Sequence, residues 1–449
     1  MSKPIVLIVG KPNVGKSTLF NRIIGEKKAI VLDSPGVTRD HIYGEARWDE
    51  RAFTLIDTCG IFEKPETIIE SQLKDIVIKT LKESSVVLFV VDGKNGLTSE
   101  DFHVLEILRK ANSKVIVVAN KAESFDKYEL NMEFEFFKLG YGEPIPVSAE
   151  HNKNIHELMD KIIENLEEQN TFNDDEDPVE ENENSIKVAI VGRPNAGKSS
   201  LFNTILGMEK AIVSNIPGTT RDVVDQKVIL DDIEFLFIDT AGIRRKKTID
   251  YGSIEMFAVI RTIKAIERAD VVIFVIDSIE GITQQDKKVA GIAENRGKGT
   301  VVAFNKWDLV ESSKKGQKDF IKYFEKEMFF IDYSPVVFTS ATEKIGITQL
   351  IDSIKEAQES RTRNISTSLL NSALERYVML TPPPVKKGKR IKFYFAKQVG
   401  TKPPVFSFQT NSPGEVPNSY IQGLRNMIRK YLDPFKGSPV YIKIEGKNK

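Results

Sequence analysis

The sequence has almost no cysteine and no long apolar run, and each shortage excludes a class of protein. Cys59 is the only cysteine among 449 residues, so no internal disulfide can form and a reducing compartment is expected. The longest purely apolar runs, such as Val86 to Val91, have the length of a buried strand and are too short to cross a membrane. The opening residues enter a strand pattern without the architecture of a signal peptide. We therefore expect a soluble cytoplasmic protein with no membrane partner.

The chain also has no net charge, because 64 Lys and Arg balance 64 Asp and Glu. These charges are segregated along the sequence. Residues 361–449 contain 17 Lys and Arg against four acids, a net charge of +13, so residues 1–360 carry −13. Such segregation indicates a basic module with a polyanionic partner, attached to acidic modules that have another task. The length predicts two or three domains.

The acidic part of the chain is duplicated. The stretch "GKPNVGKS" at 10–17 returns as "GRPNAGKS" at 192–199, an offset of 182 positions. Four more motif pairs follow in the same order: "PGVTRD" and "PGTTRD" at 35–40 and 217–222, "DTCGI" and "DTAGI" at 57–61 and 239–243, "NKAE" and "NKWD" at 120–123 and 305–308, and "SAE" and "SAT" at 148–150 and 340–342. The repeat unit is a whole domain, which is too large for a solenoid repeat.

Inside each copy, short apolar runs alternate with helical patterns. "PIVLIVG" and "KVAIVG" are typical of buried parallel strands, and "DFHVLEILRKA" is typical of an intervening helix. This alternation predicts a mostly parallel sheet with helices on both faces. "IYGEARWDERAFTLID" is the exception, because its two runs predict an antiparallel edge hairpin. Residues 164–184 hold ten acids and no Lys or Arg, which indicates a flexible linker.

The pattern G-x-x-x-x-G-K-S between a strand and a helix predicts a phosphate-binding loop, in which backbone N–H groups and the helix N-terminus face phosphate oxygens. The lysine reaches the β and γ phosphates, and the serine hydroxyl is suited to Mg²⁺. The predicted loop residues are Gly10, Lys11, Pro12, Asn13, Val14, Gly15, Lys16 and Ser17 in the first copy, and Gly192, Arg193, Pro194, Asn195, Ala196, Gly197, Lys198 and Ser199 in the second.

A second pair of motifs predicts guanine as the base. The Asp308 carboxylate can accept hydrogen bonds from guanine N1 and N2, a donor pair that adenine lacks, and Lys306 can lie along the base. In the first copy Glu123 takes the place of that aspartate, so guanine binding there requires the loop to recede by about one bond length. The predicted base-binding residues are Asn120, Lys121, Glu123, Ser148 and Ala149 in the first copy, and Asn305, Lys306, Asp308, Ser340 and Ala341 in the second.

The remaining repeated motifs predict switch segments that respond to the γ phosphate. The predicted Mg²⁺ ligands are Ser17, Thr38 and Asp57 in the first copy, and Ser199, Thr220 and Asp239 in the second; the predicted catalytic residues are Lys16, Lys198, Thr38 and Thr220. The predicted nucleotide contacts in the D-x-x-G motifs are Asp57, Thr58, Cys59, Gly60 and Ile61, and Asp239, Thr240, Ala241, Gly242 and Ile243. Ras-like GTPases have a glutamine where Ile61 and Ile243 stand, so we expect slow hydrolysis or another source of stabilisation.

These motifs together resemble the Der/EngA family of bacterial ribosome-assembly GTPases, and the resemblance covers essentially the whole chain. It implies GTP and GDP as ligands with Mg²⁺, a large-ribosomal-subunit partner or its precursors, and ribosomal RNA as the polyanion. In related GTPases with hydrophobic residues after D-x-x-G, a phosphate-loop asparagine helps to hold K⁺, and the matching residues are Asn13 and Asn195. We expect a monomer.

The basic tail has the predicted order helix, strand, strand, helix, strand, which resembles the KH-like domain that closes this family. No G-x-x-G loop joins its helices, so the usual KH clamp on single-stranded RNA is absent. "KKGKRIKFYF" interleaves charge with aromatic residues, which is typical either of a nucleic-acid surface or of an ordinary sheet with a buried aromatic core.

The predicted fold class is α/β, with two tandem P-loop GTPase domains followed by a small α+β KH-like domain. The predicted boundaries are 1–168, an acidic linker at 169–185, 186–360 and 361–449. The predicted function is a GTP-hydrolysing switch in ribosome biogenesis that binds ribosomal RNA with help from the KH-like domain. The alternatives are a GTPase that assists tRNA modification, or a switch whose first GTPase domain is mainly a docking module.

Overall fold

The computed structural model describes residues 3–25, 43–49, 51–58, 78, 81–82, 84–122, 133–169, 185–208, 212–215, 225–239, 253–310, 316–386 and 389–446. These residues belong to two compact units, Met1–Val179 with Lys246–Lys264 and Glu180–Arg245 with Ala265–Lys449. Most of the predicted acidic linker, residues 170–184, lies outside the described ranges. Within those ranges, no helix combines the length and apolarity needed to cross a bilayer.

The first unit is built on a six-stranded sheet. Its strands are β1 (Ile5–Val9), β2 (Tyr43–Trp48), β3 (Arg51–Asp57), β4 (Val86–Asp92), β5 (Val115–Asn120) and β6 (Ile145–Pro146), in the spatial order β2-β3-β1-β4-β5-β6. All neighbours are parallel except β2 and β3, which confirms the predicted edge hairpin. Every residue of β4 is buried, as expected for a central strand with both faces covered.

Four helices of the first unit are described: α1 (Lys16–Gly25), α2 (Ser99–Ala111), α3 (Glu133–Phe137) and α4 (Ile155–Glu168). The sequence of α4 places apolar side chains three and four positions apart, which lines one face of a helix. Leu158, Met159, Ile162 and Leu166 on that face are fully buried in the core against the sheet. Burial of that apolar face fixes α4 against the sheet.

The second unit repeats this arrangement. Its seven-stranded sheet contains β7 (Ile186–Val191), β8 (Ile212–Asn215), β9 (Gln226–Leu230), β10 (Ile233–Ile238), β11 (Val271–Asp277), β12 (Gly299–Asn305) and β13 (Val336–Phe338), in the order β13-β12-β11-β7-β10-β9-β8. The strands β8, β9 and β10 are antiparallel, and the others are parallel. The helices that follow Ile186 in the chain are α5 (Lys198–Leu206), α6 (Ser253–Arg268), α7 (Gln284–Asn295), α8 (Gln317–Glu327) and α9 (Ile347–Thr362); the residues of α6 up to Lys264 are assigned to the first unit and those from Ala265 to the second.

The C-terminal part has the order α10 (Thr367–Leu380), β16 (Phe393–Gly400), β17 (Val405–Thr410), α11 (Asn418–Tyr431) and β18 (Tyr441–Gly446), which confirms the prediction. A short hairpin of β14 (Val385–Lys386) and β15 (Lys389–Arg390) precedes β16. The sheet order is β16-β17-β18, with β16 antiparallel and β18 parallel to the central strand. Phe406 and Phe408 of β17 are fully buried against α10 and α11, so this part has its own core.

The C-terminal part is joined to the α/β domain that precedes it in the second unit by backbone hydrogen bonds. Thr300 N–H donates to Gly437 O at 2.7 Å, Gly437 N–H to Tyr333 O at 2.8 Å, and Lys402 N–H to Arg361 O at 2.8 Å. Since β12 begins beside this junction at Gly299 and ends at Asn305, the junction lies at the amino end of the strand. The nucleotide motifs lie at the opposite end.

Candidate nucleotide sites and nucleic-acid interface

The two phosphate loops have the same geometry. In the first loop, Lys16 Nζ donates to the carbonyls of Gly10 and Lys11 at 2.9 and 2.7 Å. In the second, Lys198 Nζ donates to the carbonyls of Gly192 and Arg193 at 2.7 and 2.6 Å. Each lysine therefore lies across the mouth of its own loop, where it can exchange carbonyl oxygens for phosphate oxygens.

The last glycine of each loop is required by its backbone and by its surroundings. Gly15 and Gly197 have φ values of +89° and +94°, in the region that favours glycine. A Cβ atom on Gly15 would lie 2.3 Å from Asn120 Nδ2, and one on Gly197 would lie 2.1 Å from Asn305 Nδ2. The motif glycine thus allows the asparagine of the predicted base-binding motif to approach the phosphate loop.

Each asparagine connects two predicted motifs. Asn120 Nδ2 donates to Val14 O at 2.9 Å, and its Oδ1 accepts from Ala149 N–H at 3.0 Å. Asn305 Nδ2 donates to Ala196 O at 2.9 Å. The phosphate-loop and base-recognition motifs, predicted separately from the sequence, therefore meet in one site in each copy.

The lysine after each asparagine is anchored by an aspartate that the motif analysis missed. Lys121 Nζ lies 2.8 Å from Asp92 Oδ2, and Lys306 Nζ lies 2.6 Å from Asp277 Oδ2. Burial raises the pKa of Asp92, but hydrogen bonds from Lys121 and from backbone N–H groups outweigh this and lower its pKa to about 2. Burial also raises the pKa of Asp277, and hydrogen bonds from Lys306 and from backbone N–H groups outweigh this effect, so its pKa is lowered as well. The sequence did contain a signal for these two aspartates, because each is the last residue of an apolar strand at the matching place in its copy.

A cavity of about 350 Å³ opens beside these residues in the first unit. Its lining includes the predicted residues Gly15, Asn120, Lys121 and Ser148. The sequence analysis had not assigned the other lining residues, Thr18, Lys94, Asn95 and Glu150. The cavity therefore adjoins both the phosphate loop and the predicted base-binding residues of the first copy.

The hydroxyl and carboxylate predicted to hold Mg²⁺ meet in the first copy. Ser17 Oγ donates to Asp57 Oδ2 at 2.8 Å, and Asp57 is buried. A hydroxyl and a carboxylate are hard oxygen donors of the kind that Mg²⁺ prefers, so this pair fits the metal. In the second copy Asp239 follows the end of β10 with a φ of +54°.

The second residue of each phosphate loop is held by the capping box at the start of a later helix in the same unit, α2 in the first copy and α7 in the second. Lys11 Nζ donates to Thr98 Oγ1 at 3.0 Å and to Asp101 Oδ2 at 2.8 Å. In the second copy, Arg193 Nε lies 3.0 Å from Asp286 Oδ2. Both acids occupy the third position of a helix whose N-cap is threonine. The T-x-x-D spacing in "TSED" and "TQQD" was the sequence signal for these anchors.

The second phosphate-loop lysine has a perturbed pKa. Burial lowers the pKa of Lys198 to about 8, although the nearby Asp286 carboxylate opposes this shift. A bound phosphate would supply negative charge beside the ammonium group and raise its pKa again.

Several predicted residues cannot be placed. Thr38, Cys59, Gly60, Ile61, Glu123, Thr220, Thr240, Ala241, Gly242 and Ile243 lie outside the described residues. The roles predicted for the switch threonines, for the isoleucines after D-x-x-G and for Glu123 therefore remain predictions.

The basic charges of the C-terminal part serve two different purposes. One group stabilises the fold and the junction with the preceding α/β domain. Arg361 lies 3.0 Å from Asp270, Lys436 lies 3.3 Å from Glu356, and the Arg429 guanidinium lies 4.5 Å from the centre of the Tyr333 ring. These cations are engaged within the protein, so the net charge of the tail overstates what it offers to a polyanion.

A second group of cations is exposed. It comprises Arg376, Arg390, Lys392, Lys397, Lys402, Lys430 and Lys443. The aromatic residues of β16 fit both interpretations of the sequence, since some lie in a buried aromatic core and others are exposed on the surface. Phe393 stacks on Tyr420 at 5.5 Å in the core, whereas Tyr394 and Phe395 are 47% and 37% exposed.

Comparison with known proteins agrees with this architecture. The family described as 50S ribosome-binding GTPase matches residues 5–121 and again 187–306. The family described as the C-terminal KH-domain-like region of EngA bacterial GTPase enzymes matches residues 364–445.

Relatives are similar over the full length of the chain. GTPase Der of Kosmotoga olearia is 48% identical, with 98% of this chain and 99% of the relative covered. GTPase Der of Thermosipho melanesiensis is 50% identical, with 99% of each chain covered. A crystal structure of Era with MgGDPNP and a 16S ribosomal RNA fragment is 24% identical over 59% of this chain and 93% of that chain, with a TM-score of 0.31.

Proposed function

Because this chain belongs to the GTPase Der (EngA) family, we propose that it is a GTP-hydrolysing switch that acts in ribosome biogenesis, in assembly of the large subunit. GTPase activity follows from the family. The observation that supports the switch is the doubled site, in which one asparagine connects the phosphate loop to the base-recognition loop in each copy.

In this proposal the two lysines Lys16 and Lys198 leave their carbonyl partners and contact the β and γ phosphates. Asp92 and Asp277 hold the lysines that lie along the guanine base. Ser17 and Asp57 would hold Mg²⁺ in the first site, where the metal neutralises phosphate charge when bound. In this proposal the loop backbone is fixed before the nucleotide arrives and each lysine exchanges its partners on binding, so little reorganisation is needed during phosphoryl transfer itself.

We propose further that the KH-like domain binds ribosomal RNA through its exposed cations. Lys392, Lys397 and Lys443 are exposed on or beside the three-stranded sheet. Lysines facing phosphates release counterions, so such binding weakens steeply with salt. Deleting the whole tail would not test this proposal cleanly, because the second G domain would lose its contacts with Gly437 and Arg361.

The test is therefore charge neutralisation in the full-length protein. The triple variant Lys392→Gln, Lys397→Gln and Lys443→Gln should weaken binding to large-subunit precursor particles. It should also flatten the slope of log affinity against log salt by about 2 to 3.

A matched control removes three cations from the second G domain. Lys318, Lys322 and Lys326 are exposed on α8, and their change to Gln alters the net charge equally. This control should bind as the parent does. Equal losses in both triple variants, or no loss in either, would show that the sheet lysines do not form the RNA site.

A further inference from the structure

The metal-site aspartate of the second copy is held by an ion pair. Asp225 Oδ1 accepts the backbone N–H of Asp239 at 3.0 Å. The guanidinium of Arg268 donates to both carboxylate oxygens of Asp225, with Nη1 3.4 Å from Oδ1 and Nη2 in contact with Oδ2. The Asp225 side chain is mostly buried, whereas that of Arg268 is 44% exposed. Arg268 thus fixes the carboxylate that receives the Asp239 amide.

Asp239 needs such support because its backbone is unusual. Its φ of +54° lies in the left-handed region, which is unfavourable for a residue with a Cβ atom. The strand β10 ends one residue earlier, at Ile238. The hydrogen bond that the Asp239 backbone N–H donates to Asp225 is therefore an observed restraint on where the chain turns and where Asp239 begins the switch motif.

The first copy is built differently at the same place. Asp57 remains within β3 and pairs with Ile8 of β1. Tyr43 occupies the position that matches Asp225, since both precede their motif aspartate by 14 residues. Tyrosine has no carboxylate, so this residue cannot make the ion pair that Asp225 makes with Arg268.

We propose that Arg268 and Asp225 are positioning residues for Asp239, and that they set the affinity of the second nucleotide site alone for Mg²⁺. This inference rests on the proposed role of Asp239 as a metal-holding residue. Arg268 is the last residue of α6, and Asp225 immediately precedes β9. The pair therefore ties the end of that helix to the first residue of D-x-x-G. A carboxylate whose backbone is fixed loses less freedom when it orders water around the metal.

The test measures how Mg²⁺ slows GDP release from the second site. Full-length protein carrying Lys16→Ala, which disables the first phosphate loop, is loaded with fluorescent GDP and titrated with Mg²⁺. Arg268→Gln and Asp225→Asn should each raise the Mg²⁺ concentration at the midpoint by about tenfold, as is typical when the partner of a metal-holding residue is lost. The double variant should be no worse than either single variant, because the two residues act as one unit.

Three controls separate positioning from general destabilisation. GDP release in EDTA should match the parent, because positioning of the metal then has no effect. Arg268→Lys should recover part of the shift, since it keeps the charge but not the two-pronged geometry. Lys355→Gln, which breaks a surface pair with Asp231 at 3.4 Å, should leave the midpoint unchanged.

Two results would overturn the inference while leaving the proposed GTPase switch intact. One is an unchanged midpoint in both single variants, and the other is an equal acceleration of GDP release with Mg²⁺ and with EDTA. A parent protein whose GDP release ignores Mg²⁺ would also reject the metal-holding role of Asp239. In the reciprocal Lys198→Ala background, Arg268→Gln should not change GDP release from the first site.

Discussion

Replacing the base-recognition asparagine should weaken the two sites by different amounts. Asn120 is buried, and Asn120→Ala removes its hydrogen bonds to Val14 O at 2.9 Å and from Ala149 N–H at 3.0 Å. Both lost partners are backbone groups that cannot rotate toward another acceptor or donor. At about 1 kcal/mol for each bond, about 2 kcal/mol of the free energy that holds the loop in place is lost; because GDP binding must then restore that arrangement, GDP affinity at the first site should fall by up to about 30-fold.

The second copy should be more tolerant. Asn305 Nδ2 makes the same bond to Ala196 O at 2.9 Å, but its Oδ1 accepts from the Thr339 hydroxyl at 3.3 Å. A hydroxyl can rotate toward another partner, and the bond is long, so little is lost with it. Asn305→Ala should therefore cost about 1 kcal/mol, or about fivefold in GDP affinity.

The assay is equilibrium binding of fluorescent GDP to full-length protein, with Lys198→Ala used to observe the first site and Lys16→Ala the second. Thermal unfolding without nucleotide serves as the control for loss of fold. Equal losses at the two sites, or a larger loss for Asn305→Ala, would refute the hydrogen-bond reasoning. A loss at the first site accompanied by unfolding would be attributed to stability and would also contradict it.

Three further predictions concern the second site. Asp308→Asn should weaken GTP and favour xanthosine triphosphate, because the amide complements a 2-oxo group; competition binding checks this, and tight binding of ATP would contradict the guanine assignment. Since the pKa of Lys198 is lowered to about 8, nucleotide-free protein loses this charge above that pH, so GDP affinity should fall as pH rises and binding should take up a proton. Calorimetry in buffers of different ionisation enthalpy measures that proton, and its absence at pH above 8 would count against Lys198 as the phosphate contact. Turnover should fall when Na⁺ replaces K⁺ at constant ionic strength, and Asn195→Ala should remove the difference; equal rates in the two salts would reject a K⁺ site.

The sequence by itself determined the architecture and the location of the nucleotide motifs. Phosphate loops, apolar strands and the edge hairpin are each encoded in contiguous residues, so their spacing is readable without contacts. Duplication strengthened the prediction of every motif, because the motifs recur in the same order in both copies; Asn120 and Asn305, for example, each follow a phosphate loop and a D-x-x-G motif. The order of elements in the C-terminal part was likewise readable from its alternating patterns.

Tertiary structure alone decided which residues serve these motifs. Asp92 and Lys121 are 29 positions apart, and their contact exists only because β4 and β5 lie side by side and end at the same edge. The net charge read from the sequence includes every cation of the tail. In the structure, however, Arg361 is buried at the junction and paired with Asp270, so it is not available to RNA. Two copies that share their letters still differ at the first aspartate of D-x-x-G, since Asp57 stays within a strand, whereas Asp239 has a φ of +54° and contacts a carboxylate that is paired with a guanidinium from another element. Such pairings depend on distances in space, which the linear order of residues does not contain.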